Sequence, residues 1–279
     1  MTMRTATWFP TWKCNLECPY CCIANDKRHV TDGSVPSHEL IRGLRNLDLD
    51  ILDISGGEPF MFPELFAVMS ALSSTKTRMA LTTNATRSYE IERLAKVFTN
   101  ENIISWTLSW HPSSTLQSRF WETVVFLQCL GYHVTVNHVL FPGQVMSADF
   151  CRDKCSFFNV TYHADLYRFP PDNPPTYTAE ELKVISEFVK PDRTLWPHKT
   201  ANCSAGHDRF IITPNGDIFP CLKSAFANVD VIGNIRLTQK RIVGPFIHCD
   251  DISVCAGCDR DKVTLRDLGK ELADVLSTP

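Results

Sequence analysis

The chain has 279 residues, 44% of them hydrophobic and 21% charged, with a net charge of −3 and twelve cysteines. That apolar content builds the core of one large α/β domain plus a small one and excludes a disordered chain. The near-neutral balance gives no basis for binding nucleic acid or an anionic membrane, and apolar runs such as 124–127 are far too short to cross a bilayer.

Met1–Ala6 contains no signal-peptide core, so the cysteines are expected to serve metal ligation and redox chemistry in a reducing, cytoplasmic compartment. Residues 5–12, rich in threonine and aromatics, read as a first strand that delivers Cys14 to the loop at its C-terminal end. Residues 37–46 fit a helix with Pro36 and Ser37 at its start. Residues 49–54 alternate as a second strand and run into Ser55-Gly56-Gly57-Glu58-Pro59. A helical stretch at 63–73 precedes strand three at 78–83, which ends in Thr82-Thr83-Asn84. Then come an amphipathic helix at 89–98, strand four at 103–110 with Ser109 near its end, and a helix at 120–130. Strand five at 133–140 carries Asn137; a short helix at 147–155 leads to strand six at 159–163. Strands alternating with helices predict a parallel sheet with crossover helices, its active residues on loops after the strands' C-terminal ends. A proline-dense linker at 170–175 and a helix at 179–189 follow. From residue 195 the composition shifts toward cysteine and turn residues. Asn215-Gly216 predicts a hairpin between the apolar runs 210–213 and 217–219, and the chain closes with a helix at 264–276.

Cys14, Cys18 and Cys21 are spaced C-x3-C-x2-C. Three thiolates so close suit a cubane iron–sulfur cluster, which normally takes four cysteines, so one iron stays open for another ligand. Three buried cysteines or a partial zinc site are the alternatives. The stretch Cys14-Asn15-Leu16-Glu17-Cys18-Pro19-Tyr20-Cys21 resembles the signature of the radical S-adenosylmethionine (SAM) enzymes. The resemblance implies a [4Fe–4S] cluster whose open iron is chelated by SAM. An electron then splits SAM to a 5′-deoxyadenosyl radical, which takes a hydrogen atom from substrate. It implies an α/β fold, a partial (β/α)6 radical SAM barrel over 1–194. It also implies SAM contacts: Tyr20 at the adenine; Gly56, Gly57, Glu58 and Pro59 at the amino group; Thr82 and Asn84 at the ribose or carboxylate; Ser109 and Asn137 at the strand ends. Ala85 stands where many relatives carry glycine, so the local turn departs from the pattern. Arg119 reads either as a partner of the SAM carboxylate or as a solvated arginine at a helix start.

The C-terminal zone holds Cys203, Cys221, Cys249, Cys255 and Cys258, with Gly216 and Cys221 in a G-x4-C unit and Cys255 and Cys258 as C-x2-C. It resembles the Twitch form of the auxiliary iron–sulfur domain, here over 195–279. That implies a second [4Fe–4S] cluster on Cys203, Cys221, Cys255 and Cys258, with four-cysteine zinc as the alternative. Cys249 lies outside both ligand sets. An S–H bond is weak enough to quench a carbon radical, so Cys249 reads as a hydrogen donor, as a buried apolar cysteine, or as a substitute ligand. Cys22, Cys129, Cys151 and Cys155 are weaker candidates.

The whole chain resembles the aminoglycoside epimerases of this family, which implies inversion of C-5‴ of neomycin C to give neomycin B. Cys249 would return the hydrogen and a flavodoxin or ferredoxin would supply electrons. Glu39, Asp53, Glu58, Asp165, Asp208, Asp250 and Asp251 offer carboxylates to such a polycation. Three other readings stand beside it. A dehydrogenase of an amino sugar or aminocyclitol needs no protein hydrogen donor. A peptide-modifying maturase is expected to carry a recognition domain ahead of the barrel, for which the 13 residues before Cys14 leave no room. A non-catalytic electron-transfer protein has no use for an open iron.

Overall fold

Strand and helix alternate through the first two thirds of the chain in the computed structural model, which describes residues 3–23, 35–112, 117–167, 176–188, 201–203, 205–237 and 247–249. The strands β1 (Thr5–Trp8), β2 (Ile51–Ile54), β3 (Arg78–Thr83), β4 (Ile103–Trp110), β5 (Val134–Leu140) and β6 (Thr161–Leu166) are each followed by an α-helix among the described residues. Those helices are α1 (Ser37–Asn46), α2 (Leu65–Leu72), α3 (Ser88–Val97), α4 (Gln117–Cys129), α5 (Ala148–Phe157) and α6 (Ala179–Phe188). Neighbouring strands pair in parallel, as crossover helices require. The sheet stays open, because β6 pairs only with β5 among the described residues. This is the expected partial barrel.

The sheet's two faces differ. Ala6, Trp8, Leu52, Ile54, Met79, Leu81, Trp106, Leu108 and Val136 are buried under the helices and form the main core. The alternate positions Thr7, Asp53, Thr82, Thr107, Ser109 and Asn137 are half-buried, small and polar, and face the barrel interior. Register aligns them: Thr7 opposite Asp53, Thr82 opposite Thr107, Ser109 opposite Asn137.

Several strand bounds differ from expectation: β2 starts at 51 rather than 49, β5 at 134 rather than 133, and β6 runs on to 166 rather than 163. β1 ends at Trp8 rather than 12, because Pro10 has no N–H for a ladder and the Trp8 carbonyl accepts from Ser55 instead. β6 starts at Thr161 rather than 159, because Asn159 takes φ +53° in the turn that ends α5.

After α6 come β7 (Ala201–Cys203), β8 (Arg209–Ile212), β9 (Asp217–Phe219), helix α7 (Leu222–Ala227), β10 (Gly233–Asn234) and β11 (Ile247–Cys249). The predicted hairpin is β8–β9, with Gly216 at φ +86° in its turn. β8 then pairs in parallel with β1, so the large sheet runs β10-β9-β8-β1-β2-β3-β4-β5-β6. Phe210 and Ile212 of β8 belong to the main core. β7 and β11 form a separate antiparallel pair, with Cys203 opposite Ile247 and Cys249 opposite Ala201. Cys255, Cys258, Asp250, Asp251, the 170–175 linker and the 264–276 helix lie outside the described residues.

Candidate active site

The loop that carries the three cysteines is anchored before it begins. Gly57 N–H donates to the Thr11 carbonyl (3.0 Å) and Glu58 N–H to the Lys13 carbonyl (2.7 Å). A Cβ on Gly57 would stand 2.1 Å from the Lys13 oxygen and 2.4 Å from that of Trp12. Gly56 sits at φ +128°, with Thr11 O only 2.7 Å from where its Cβ would be. The paired glycines therefore let the loop after β2 lie backbone to backbone against residues 11–13. Phe9, Trp12 and Phe226 of α7 stack beneath this stretch, with ring centroids 5.1–6.5 Å apart.

Cys14, Cys18 and Cys21 are half-exposed and line one cavity of about 390 Å³ at the C-terminal ends of the strands. Gly56, Gly57, Thr82, Asn84, Ser109 and Asn137 share it, and so does Tyr20. Of the predicted SAM contacts, Glu58 and Pro59 are absent from its lining. Pro59 is buried at the first turn of a short helix, Pro59–Met61. Glu58 is 0% exposed and accepts from Thr83 Oγ1 (2.8 Å), Asn84 N (2.9 Å) and Phe60 N (3.2 Å). It bolts the loop after β2 to the end of β3. Burial pushes its carboxyl up to about 7, against the three donors that favour its charge. Asp53, deeper on the inner face, is likewise pushed up to about 6 by burial, opposed by the Thr7 hydroxyl at 3.4 Å.

The cysteine loop is tied across to β3 and β4. Asn84 Nδ2 donates to Asn15 Oδ1 (3.0 Å) and reaches Cys14 Sγ at 3.6 Å; Asn15 Nδ2 donates to Thr86 Oγ1 (2.7 Å). Leu16 N–H also donates to Cys14 Sγ (3.4 Å). Burial is the main cause that pushes the Cys14 thiol up, against those two donors. His111, directly after β4, sets Nδ1 2.8 Å from Tyr20 Oη and 3.4 Å from Cys18 Sγ. Burial lowers His111 to about 4, so a neutral ring faces the sulfur, and burial pushes the Tyr20 phenol up. Tyr20 also packs on Phe141, ring centroids 5.2 Å apart.

Sequence reasoning passed over His111 and Thr107, which line the cavity, and Cys22, one of the weaker candidates, lines it too. The signal for His111 was its place at a strand's C-terminal end. Asp165, among the acidic candidates, stands in the lining; Glu39, Asp53 and Asp208 do not. Ala85 adopts φ +58°, so the turn here is left-handed although the residue is alanine. Arg119 is exposed on α4, outside the cavity lining. Cys221 occupies the position before α7 without a side-chain cap bond, its Sγ 3.5 Å from Ser224 Oγ, and Cys151 and Cys155 are buried in the main core. Only the backbones of Cys203 and Cys249 are described.

Three cysteine sulfurs that line one cavity are a donor set that fits a cubane cluster. Among the described residues no three His, Cys, Asp or Glu side chains stand close enough to share one metal ion. Cubane ligands sit on separate irons and are spread more widely than the four ligands of zinc. No helix among the described residues is long and apolar enough to cross a membrane.

Residues 8–111 match the model of the radical SAM superfamily. The chain is 26% identical over 258 residues to the antilisterial bacteriocin subtilosin biosynthesis protein AlbA of Bacillus subtilis (strain 168), which covers 82% of this chain and 57% of that one. Among solved structures it is similar to Streptococcus suis SuiB bound to S-adenosylmethionine, with TM-score 0.65, 19% identity, and coverage of 84% of this chain and 63% of that one. It is also similar to native anSMEcpe with bound AdoMet, with TM-score 0.65, 13% identity, and coverage of 99% and 100%. The chain thus spans less than two thirds of AlbA and of that SuiB chain. The fold is the radical SAM α/β fold, a mostly parallel sheet left open.

Proposed function

We propose that this chain, with a radical SAM domain over residues 8–111, is a SAM-consuming enzyme that takes a hydrogen atom from a peptide and so modifies it. The observation that carries the reading is the alignment with a bacteriocin biosynthesis protein over 82% of the chain, both barrel and C-terminal segment. SuiB, of the same fold, is also known bound to its precursor peptide SuiA. Cys14, Cys18 and Cys21 would hold the cluster in the cavity, and bound there it supplies the single electron that cleaves SAM to a 5′-deoxyadenosyl radical.

The chain's own residues do the rest. The cavity wall of Thr82, Thr107, Ser109 and Asn137 offers hydroxyls and an amide to the polar edges of SAM. Carbonyls of the Gly56-Gly57 stretch, which lines the cavity, suit its ammonium. Tyr20, packed between His111 and Phe141, presents a rigid edge beside the cysteines. The apolar outer face keeps the strands in register, so these groups hold position while a reactive species is present.

A second [4Fe–4S] cluster on Cys203, Cys221, Cys255 and Cys258 belongs to this proposal, as does the division into 1–194 and 195–279. Cys203 and Cys249 lie on the same small β7–β11 ladder, at its opposite ends. The aminoglycoside epimerase reading, with Cys249 returning the hydrogen and neomycin C as substrate, stands second. Asp165 in the cavity is the observation that favours it, because a carboxylate there suits an amine-bearing substrate.

The test is an anaerobic assay of the reconstituted chain with SAM and reductant in deuterated water. One reaction receives a pool of synthetic peptides, the other neomycin C. Formation of 5′-deoxyadenosine is expected, and is expected to disappear in a Cys14→Ala, Cys18→Ala, Cys21→Ala variant. A peptide whose mass changes supports the maturase; neomycin B carrying one solvent deuterium supports the epimerase and displaces the peptide reading. No 5′-deoxyadenosine from the wild-type chain would overturn both.

A further inference from the structure

We propose that Asn84 is not a SAM ligand but a positioning residue that sets the reduction potential of the cluster on Cys14, Cys18 and Cys21, by donating a hydrogen bond to the Cys14 sulfur. The inference rests on the radical SAM reading above. A side-chain amide has two N–H donors and one carbonyl with two lone pairs. In Asn84 all four are engaged within the chain. Nδ2 donates to Asn15 Oδ1 (3.0 Å) and to Cys14 Sγ (3.6 Å). Oδ1 accepts from Thr86 N (3.0 Å) and Thr86 Oγ1 (2.6 Å). Nothing remains for a ribose hydroxyl or a carboxylate.

The orientation of the amide is fixed by chemistry. The Thr86 backbone N–H can only donate, so the carbonyl oxygen must face it, and the NH2 group must face Cys14. The backbone is held as firmly. Asn84 N–H donates to the buried Glu58 carboxyl (2.9 Å), which also takes Thr83 and Phe60. The left-handed turn at Ala85 folds Thr86 back over the amide. Glu58, Asn84 and Cys14 therefore form one relay from the loop after β2, through the end of β3, to the cysteine loop.

A cysteine sulfur bound to iron carries no proton and only accepts. Reduction adds negative charge to the cluster and its sulfurs, and a donor aimed at one of them stabilises the reduced state more than the oxidised one. Removing the donor should make reduction harder.

The test is an EPR-monitored redox titration of the reconstituted full chain, following the signal that changes when SAM is added. Asn84→Ala removes the donor; Asn84→Leu, close to asparagine in volume and uncharged, removes it without leaving a void or adding a charge. Both are expected to shift the midpoint to more negative potential, in Asn84→Ala by about tenfold in the reduction equilibrium, about 59 mV for one electron. Asn15→Ala, which breaks the link to Asn84 but spares the N–H···S contact, is expected to leave the midpoint in place. A wild-type midpoint in either Asn84 variant, with SAM affinity lowered instead, would make the side chain a SAM ligand and overturn the inference. If Asn84→Ala does not load iron, Asn84→Leu alone decides by the same criterion. If neither loads iron, the relay acts on assembly and not on potential, which overturns the inference as stated. Absence of any SAM-sensitive signal in the wild-type chain would overturn the radical SAM reading, and this one with it.

Discussion

At Gly57 the chain has no space for a single methyl group, because the atoms in the way are the backbone oxygens of Lys13 and Trp12. Gly57→Ala must push that backbone, and Cys14 behind it, away from the sheet. The expected result is a protein whose iron content after reconstitution falls at least about tenfold, read by iron assay and visible absorbance. Gly131→Ala is the contrast. Its φ of +81° strains an alanine, yet nothing lies within 4 Å of the new Cβ. It should lose about 1 kcal/mol of stability and keep wild-type iron. The two glycines after β2 were legible as a place of close approach. The sequence pointed to SAM as what approaches; the structure adds the backbone of residues 11–13. Glu58 was legible only as a carboxylate near a ligand, whereas its three donors come from its own loop and from β3, 25 and 26 residues away.

Among the elements, the parallel strands show why the pattern reads well. One face of each is apolar and buried beneath helices, while the other is small and polar. Leu81→Ala on the covered face should cost about 2–5 kcal/mol by chemical denaturation. Thr82→Val, next to it on the cavity face, should stay within about 1 kcal/mol of wild type while weakening SAM binding in a titration. Helix α1 illustrates a feature that periodicity does not carry. Its buried positions Leu40, Gly43 and Leu44 follow helical spacing. The glycine among them is there because the Ile235 carbonyl would stand 2.2 Å from a Cβ at Gly43. Nothing near residue 43 in the chain announces a contact with residue 235.

For the molecule as a whole, the C-terminal segment is less separate than its composition suggests. β8 adds to β1 as a seventh parallel strand and sends Phe210 and Ile212 into the main core. Phe210→Ala should therefore cost about 3–5 kcal/mol and lower the single unfolding transition of the barrel itself. Stability also depends on pH through His138, which is 0% exposed on β5, with Tyr162 Oη of β6 3.2 Å from Nδ1 and Ser147 Oγ 3.5 Å from Nε2. Burial, with the nearby His111 adding to it, lowers His138 to about 4. Its folded value lies below its unfolded value, so the unfolded chain takes up the proton first, and stability present above about pH 6.5 is lost as pH falls toward 4. Between pH 7 and pH 5 that loss is about 2 kcal/mol. Asp53 and Glu58 are raised to about 6 and about 7 and act in the opposite sense, gaining stability as pH falls through those values. The difference in slope between wild type and His138→Gln isolates the histidine: the variant's denaturation free energy should fall less over this range.

Local pattern alone determined the six strand–helix units, the open cavity end where their loops gather, the cysteine triad and the glycine pair beside it. These are written in spacing, alternation and turn residues that lie within a few positions of one another. Tertiary structure alone decided that Asn84 meets Cys14, 70 residues away, that His111 meets Cys18 and Tyr20, and that β8 pairs with β1. Those meetings follow from strand order and register, which are set by the burial of the whole sheet and are encoded at no single stretch of the chain.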